Sequence, residues 1–75
     1  GGDFYDFFWV DDDKTKLALV IADVSGKGVP AALFMTVTRT LIRANAYLHV
    51  NNPGDCLTRV NISLHKDNTN VMFVT

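Results

Sequence analysis

The chain has 75 residues, enough for one small domain, and 48% of them are hydrophobic, which is too apolar a composition for a disordered segment. Its formal net charge of −1 provides no basic surface, so neither nucleic acid nor an anionic membrane is expected as a partner. The single cysteine excludes an internal disulfide bond and fits a reducing, cytoplasmic location.

Two segments near the start of the chain are predicted to form an antiparallel β-hairpin. Residues 4–10 are rich in aromatic side chains and predict the first strand. Residues 16–22 predict the second strand, and its residues 17–22 are apolar without polar alternation, which predicts that both faces of this strand are covered. Asp11, Asp12 and Asp13 between them are interpreted as a solvated turn. A calcium-binding loop that began at Asp11 would require a glutamate where the sequence has Ala22.

A helix is predicted at residues 30–48, because Pro30 is compatible with a first helical turn. Its apolar side chains recur at spacings of three and four, which predicts a buried stripe. The stripe consists of Phe34, Val37, Leu41, Ala44 and Leu48, and Ala31, Met35, Thr38 and Ile42 widen it. Arg39 and Arg43 lie one turn apart and are interpreted as solvated charges on the polar side.

A second helix is predicted to begin after Asn52, which is a suitable N-cap followed by Pro53. Its apolar stripe is Leu57, Val60 and Leu64, and Cys56 is interpreted as a core residue. After a polar turn from Lys66 to Asn70, residues 71–74 are predicted to form a third strand. The expected fold class is therefore α/β, in the order strand-strand-helix-helix-strand.

The hairpin brings two carboxylates together. If the turn is centred on Asp13, Asp3 lies directly opposite Asp23, where paired Cβ atoms are about 4.5–5.5 Å apart. Two carboxylates at that distance repel, and a bound divalent cation would turn the repulsion into attraction, with oxygen ligands favouring Mg²⁺ or Mn²⁺. The alternative is that Asp3 is a frayed terminal residue and Asp23 caps a turn. Asp6 lies on the opposite face of its strand and is interpreted as a hydrogen-bond anchor.

The loop at residues 23–28 reads Asp-Val-Ser-Gly-Lys-Gly, in which Gly26 and Gly28 permit positive φ angles or a close approach of a ligand to the backbone. Backbone N–H groups at the start of the following helix also suggest a phosphate-binding loop, which keeps a nucleotide-binding function open. The loop does not match the Walker A pattern, because position 22 is alanine and position 28 is glycine.

The sequence resembles the bacterial branch of the metal-dependent PPM-type serine/threonine protein phosphatases, typified by stage II sporulation protein E and RsbU. Two motifs carry this resemblance: residues 1–8, Gly-Gly-Asp-Phe-Tyr-Asp-Phe-Phe, and residues 22–33, Ala-Asp-Val-Ser-Gly-Lys-Gly-Val-Pro-Ala-Ala-Leu. The resemblance implies a sandwich of two antiparallel sheets flanked by helices. It also implies that residues 1–75 are the N-terminal-to-middle portion of a larger domain. The sheet face and edges that such a fragment leaves exposed predict self-association.

The resemblance further implies a two-metal Mn²⁺ or Mg²⁺ centre, with Asp3 and Asp23 as carboxylate ligands and Val24 as a backbone carbonyl ligand. The metals would activate water for in-line attack on phosphoserine or phosphothreonine of a STAS-type anti-anti-sigma protein. An upstream sensor or receiver domain would complete such a protein. Eukaryotic-type relatives have a histidine, often assigned as general acid, where this chain has Ser25, so the leaving-group acid stays unassigned.

Two other functions remain open beside the phosphatase. The first is a catalytically silent regulatory module that binds a partner helix through residues 30–48. The second is nucleotide binding by the loop that contains Gly26 and Gly28. The family's later metal-binding aspartates do not occur within these 75 residues, so weak metal binding is expected of the two carboxylates alone.

Overall fold

The computed structural model describes residues 2–66 and 72–75. In chain order the elements are β1 (Asp3–Trp9), β2 (Leu17–Asp23), α1 (Gly28–Leu48) and α2 (Pro53–Lys66). This confirms the α/β class and the antiparallel hairpin followed by two helices. The predicted polar turn after residue 66 and the first residue of the predicted third strand, Val71, lie outside the described residues.

The strands β1 and β2 pair antiparallel, from Asp3 opposite Asp23 to Trp9 opposite Leu17. The turn between them is closed by Asp11, whose Oδ1 accepts hydrogen bonds from the backbone N–H groups of Thr15 at 2.9 Å and Lys16 at 3.2 Å. Asp12 and Asp13 are exposed, which agrees with a solvated turn. The turn therefore fixes the hairpin register with a local side chain.

The two faces of the hairpin have different environments. Phe8 and Val10 are buried together with Ile42 of α1 and with Cys56 and Val60 of α2, and these residues form the core. On the opposite face Leu19 is 75% exposed and Ile21 is 90% exposed. The prediction that both faces of β2 are covered is therefore wrong for the part of the chain that the structure describes, because both helices pack on the same side of the hairpin.

Helix α1 buries a different line of residues from the one predicted. Its buried residues are Ala31, Thr38 and Ile42, whereas Val37 is 50% exposed and Leu48 is 76% exposed. The predicted stripe was therefore centred on the wrong side of the helix, although the set that widened it contained all three buried residues. Thr38 tolerates burial because its hydroxyl donates a hydrogen bond of 2.7 Å to the carbonyl oxygen of Phe34.

Helix α2 begins as predicted. The Oδ1 atom of Asn52 accepts a hydrogen bond of 3.0 Å from the backbone N–H of Asp55, which confirms Asn52 as the N-cap. Cys56 and Val60 are buried, but Leu57 is exposed, so the predicted stripe is correct only in part. None of the helices in residues 2–66 and 72–75 has the length and apolarity needed to cross a membrane.

The described residues 72–75 pair with the chain that continues from β2. Val24 and Val74 form an antiparallel bridge, and the N–H groups of Asp23 and Thr75 each donate to the other's carbonyl oxygen, at 2.9 and 3.0 Å. On the other side, the N–H of Val24 donates to the carbonyl oxygen of Gly2 at 3.0 Å. The end of β2 therefore has backbone partners on both sides, although the described residues 72–75 form a single bridge there and not the predicted third strand.

Candidate metal centre

Two carboxylates meet at one end of the hairpin. Asp3 is the first residue of β1 and Asp23 is the last residue of β2, and the register places them directly opposite one another. Both residues are exposed. The predicted juxtaposition is confirmed, and it follows from the length of the turn and the pairing of the two strands.

The two carboxyl groups are electrostatically coupled. A hydrogen bond with the Asp3 carboxyl raises the pKa of Asp23 above its ordinary value, and the negative charge of Asp3 and desolvation raise it further. Protonation of Asp23 relieves its repulsion by Asp3, which is why the pKa of Asp23 is raised. A hard divalent cation would do the same with two positive charges, so this pair of oxygen donors fits Mn²⁺ or Mg²⁺.

The backbone beside Asp23 provides a third candidate donor. Val24 is 2% exposed, and its carbonyl group lies against Gly2 of the neighbouring segment. A Cβ atom on Gly2 would lie 2.2 Å from the Val24 carbonyl oxygen, closer than any two such atoms can approach. Glycine at position 2 therefore permits this close approach of the two backbones, in which the Val24 carbonyl oxygen lies against Gly2.

The loop after Asp23 uses its two glycines as predicted, with φ angles of 82° at Gly26 and 78° at Gly28. Ser25 joins this loop to the last described segment: its N–H donates to the carbonyl oxygen of Phe73 at 2.8 Å, and its Oγ accepts from the N–H of Phe73 at 2.9 Å. Sequence reasoning missed this role, because nothing in the local sequence identifies the partner of the hydroxyl.

The acidic pair lies in an open cleft of about 590 Å³. The cleft is lined by Asp3, Phe4, Tyr5, Ile21, Ala22, Asp23 and Thr75. Within residues 2–66 and 72–75, no group of three or more histidine, cysteine or acidic side chains is arranged so that it could hold a metal ion. In this cleft the described residues therefore supply two carboxylates, which fit part of a hard-cation centre, and the Val24 carbonyl stays a prediction because Val24 does not line the cleft.

Asp6 forms a second charged cluster, on the helix side of β1. Its side chain is 8% exposed, and its Oδ2 and Oδ1 atoms accept hydrogen bonds of 2.7 Å each from Nε and Nη2 of Arg43. Arg39 approaches the same carboxylate at 3.3 Å through Nε. The bond to Arg43, followed by the charges of Arg39 and Arg43, outweighs desolvation and lowers the pKa of Asp6.

This cluster corrects one prediction and confirms another. Arg39 and Arg43 are not merely solvated charges, because the face of α1 that carries them is turned toward β1. Asp6 is a hydrogen-bond anchor, as predicted. The guanidinium of Arg43 also lies over the ring of Phe8, 4.7 Å from its centroid. The sequence did contain a signal for this contact. It has an acidic residue on the helix-facing side of a strand and two arginines one turn apart on the helix that packs there.

Comparison with known proteins gives two matches. The sequence model of the family described as stage II sporulation protein E matches residues 13–75, which include the loop of Asp23 and Val24 but not the segment of Asp3. Protein IcfG of Synechocystis sp. (strain ATCC 27184 / PCC 6803 / Kazusa) is 49% identical over 61 residues, which are 80% of this chain and 9% of IcfG. No solved structure matches the chain.

The family match covers most of the chain, and the relative is similar over 80% of it. The chain spans about a tenth of the length of IcfG, so the comparison concerns one segment of that protein. The hairpin and the glycine loop of the resemblance are both present in the structure. The chain belongs to the stage II sporulation protein E family of PPM-type phosphatases.

Proposed function

We propose that this chain forms part of a metal-dependent protein serine/threonine phosphatase. The observation that carries the proposal is the direct opposition of Asp3 and Asp23, with the pKa of Asp23 raised by its neighbour. A like-charged pair at the surface end of a hairpin destabilises the metal-free chain at neutral pH. Such a pair is explained if a divalent cation binds there, which agrees with membership of a phosphatase family.

The chain's own residues would hold the cation and position it. Asp3 and Asp23 would supply carboxylate oxygens from adjacent strands, and Val24 would supply a carbonyl oxygen from the chain that follows β2. When bound, divalent cations lower the pKa of water and screen the charge of phosphoryl oxygens, which permits in-line hydrolysis. The hydrogen bonds of Asp23 to Thr75 and of Val24 to Gly2 fix the backbone that carries two of these donors.

The substrate and the pathway are proposed from the family resemblance. We propose phosphoserine or phosphothreonine on a STAS-type anti-anti-sigma protein as the substrate, within a partner-switching pathway, and a sensor or receiver domain upstream in the same protein. The chain corresponds to 9% of the length of IcfG, so further metal ligands and these partners would lie in other parts of a comparable protein.

A Mn²⁺ titration of the full-length protein by calorimetry tests the proposal. We expect Asp23→Asn to weaken Mn²⁺ binding by at least about tenfold, because it removes one anionic ligand. Asp12→Asn is the matched control: it removes the same charge from an exposed position in the hairpin turn, and it should leave the Kd unchanged. Hydrolysis of a phosphoserine peptide should require Mn²⁺ and should fall in the Asp23 variant alone.

Three results would contradict the proposed phosphatase function. Equal Mn²⁺ affinity in the Asp23 variant and the wild-type protein would show that Asp23 is not a metal ligand. Mn²⁺ binding without hydrolysis of any phosphopeptide would favour the catalytically silent module. Binding of nucleotide but not phosphopeptide would favour the nucleotide-binding loop.

A further inference from the structure

The strand that carries Asp3 is tied to the helix that follows Asp23. Asp6 lies three residues after Asp3 on β1, and its carboxylate is held by Arg43 in the second half of α1. Helix α1 begins at Gly28, five residues after Asp23. Asp3 and Asp23, the candidate metal ligands, are therefore connected twice, through the pairing of β1 with β2 and through Asp6, α1 and the glycine loop.

The second connection is charged and directional. Both ion pairs found among residues 2–66 and 72–75 converge on Asp6. Arg43 contacts it with two nitrogen atoms at 2.7 Å, a bidentate geometry that fixes orientation as well as distance. The apolar contacts of Phe8 and Val10 with Ile42 hold the same surfaces together, but they specify position less sharply than a bidentate ion pair.

We propose that Asp6, with Arg43 as its partner, is a positioning residue that sets the placement of Asp3 relative to Asp23 and thereby the affinity for a divalent cation. Asp6 does not itself contact the cation, because it lies on the face of β1 opposite Asp3. The inference rests on the proposed metal site. It extends that site to two residues whose side chains meet between β1 and α1.

The physical reason is the sensitivity of a cation site to donor placement. Functional groups have to be held within about 0.5 Å of their productive geometry, and outer partners of metal ligands commonly change affinity by about 10- to 100-fold. A strand is specified in register, and slippage by one residue would turn Asp3 toward the helices. An ion pair on the helix-facing side of β1 opposes both displacement and slippage.

Mn²⁺ titrations of Asp6→Asn, Arg43→Met and the double variant in the full-length protein test the inference. We expect each single variant to raise the Kd by about tenfold or more, and the double variant to bind no more weakly than the worse single variant. Arg43→Lys retains the charge but loses the bidentate contact, so it should give an intermediate Kd. Arg59→Met, which alters an exposed arginine on α2, should leave the Kd unchanged.

A second control separates positioning from stability. Val60→Ala removes buried core volume on α2, so it should lower the unfolding temperature at least as much as Asp6→Asn while leaving the Kd unchanged. Circular dichroism confirms that each variant is folded under the titration conditions. If Asp6→Asn does not fold, the comparison of Arg43→Lys with Val60→Ala decides the question.

The outcomes distinguish this inference from the proposed function. If Asp23→Asn loses Mn²⁺ binding but Asp6→Asn and both Arg43 variants bind as tightly as wild type, the positioning role is overturned and the metal site stands. An affinity reduced equally by Val60→Ala and Asp6→Asn would also overturn it, because stability alone would explain the loss. If Asp23→Asn binds Mn²⁺ as tightly as wild type does, the result contradicts both the proposed metal site and the positioning role that rests on it.

Discussion

At the scale of single residues, Gly2 has the sharpest structural requirement. Its backbone accepts a hydrogen bond from Val24, and a Cβ atom there would overlap the Val24 carbonyl oxygen at 2.2 Å. We predict that Gly2→Ala destabilises the protein by about 1–3 kcal/mol, the usual range for overpacking, because backbone atoms have to move. Since the displaced carbonyl is the candidate ligand, Mn²⁺ affinity should fall as well.

Urea unfolding and Mn²⁺ titration of the Gly2→Ala protein measure both effects. Gly54→Ala is the matched control, since a Cβ atom there would lie 3.4 Å from Oδ1 of Asn52, at the edge of ordinary contact. Gly54 is in the first turn of α2, so alanine should leave stability unchanged or raise it by up to about 1 kcal/mol. A Gly2→Ala protein as stable as wild type would show that the two segments do not approach this closely.

At the scale of elements, the ion pair between β1 and α1 predicts a pH dependence of stability. Arg43 lowers the pKa of Asp6 below the ordinary value of 3.8, so the ionised form of Asp6 stabilises the folded state. That contribution is fully present above the unfolded-state pKa and is lost as the pH falls through the lowered folded-state pKa. The free energy of unfolding should therefore fall on acidification more in wild type than in Asp6→Asn.

Urea unfolding from about pH 6 down to about pH 2.5, with a chelator present, measures this difference. Both guanidinium groups are about half exposed, so we expect a pH-dependent loss specific to Asp6 of about 1 kcal/mol. The pKa of Asp11 is lowered by its hydrogen bond with Thr15, but Asp11 contributes equally to the pH dependence of both proteins, so its contribution cancels in the comparison. Parallel pH profiles for the two proteins would mean that the ion pair contributes no net stability.

The strands and helices also show how far the sequence predicts the structure. The hairpin register, the turn at Asp11 and the cap at Asn52 depend on neighbours in sequence, so local patterns predicted Asp3 opposite Asp23 correctly. The buried face of α1 was not predicted, because apolar residues occur around most of that helix and only tertiary packing selects the face that contains Thr38. The partners of Arg43 and Ser25 depend on distant segments, which no local pattern identifies.

At the scale of the whole molecule, one face of the hairpin is an apolar surface. Its side chains are between 43% and 90% exposed: Tyr5, Phe7, Trp9, Leu17, Leu19 and Ile21. In the sandwich fold that the family resemblance implies, a second sheet covers a face of this kind. In the 75-residue chain by itself, the described residues include no such cover, and large exposed apolar patches favour association.

We therefore predict that the isolated 75-residue chain self-associates through this face of the hairpin, with a second copy as the partner. Light scattering over a concentration series should show a mass that rises above the monomer mass of 8.3 kDa. Ile21→Lys should return the chain to the monomer, because Ile21 is the most exposed residue of this face and a charge buried there by a second copy is costly to desolvate. Ile62→Lys makes the same change at an exposed position on α2 and should leave association unchanged. A wild-type chain that stays monomeric at every concentration would contradict the prediction, and equal effects of the two lysines would place the contact elsewhere.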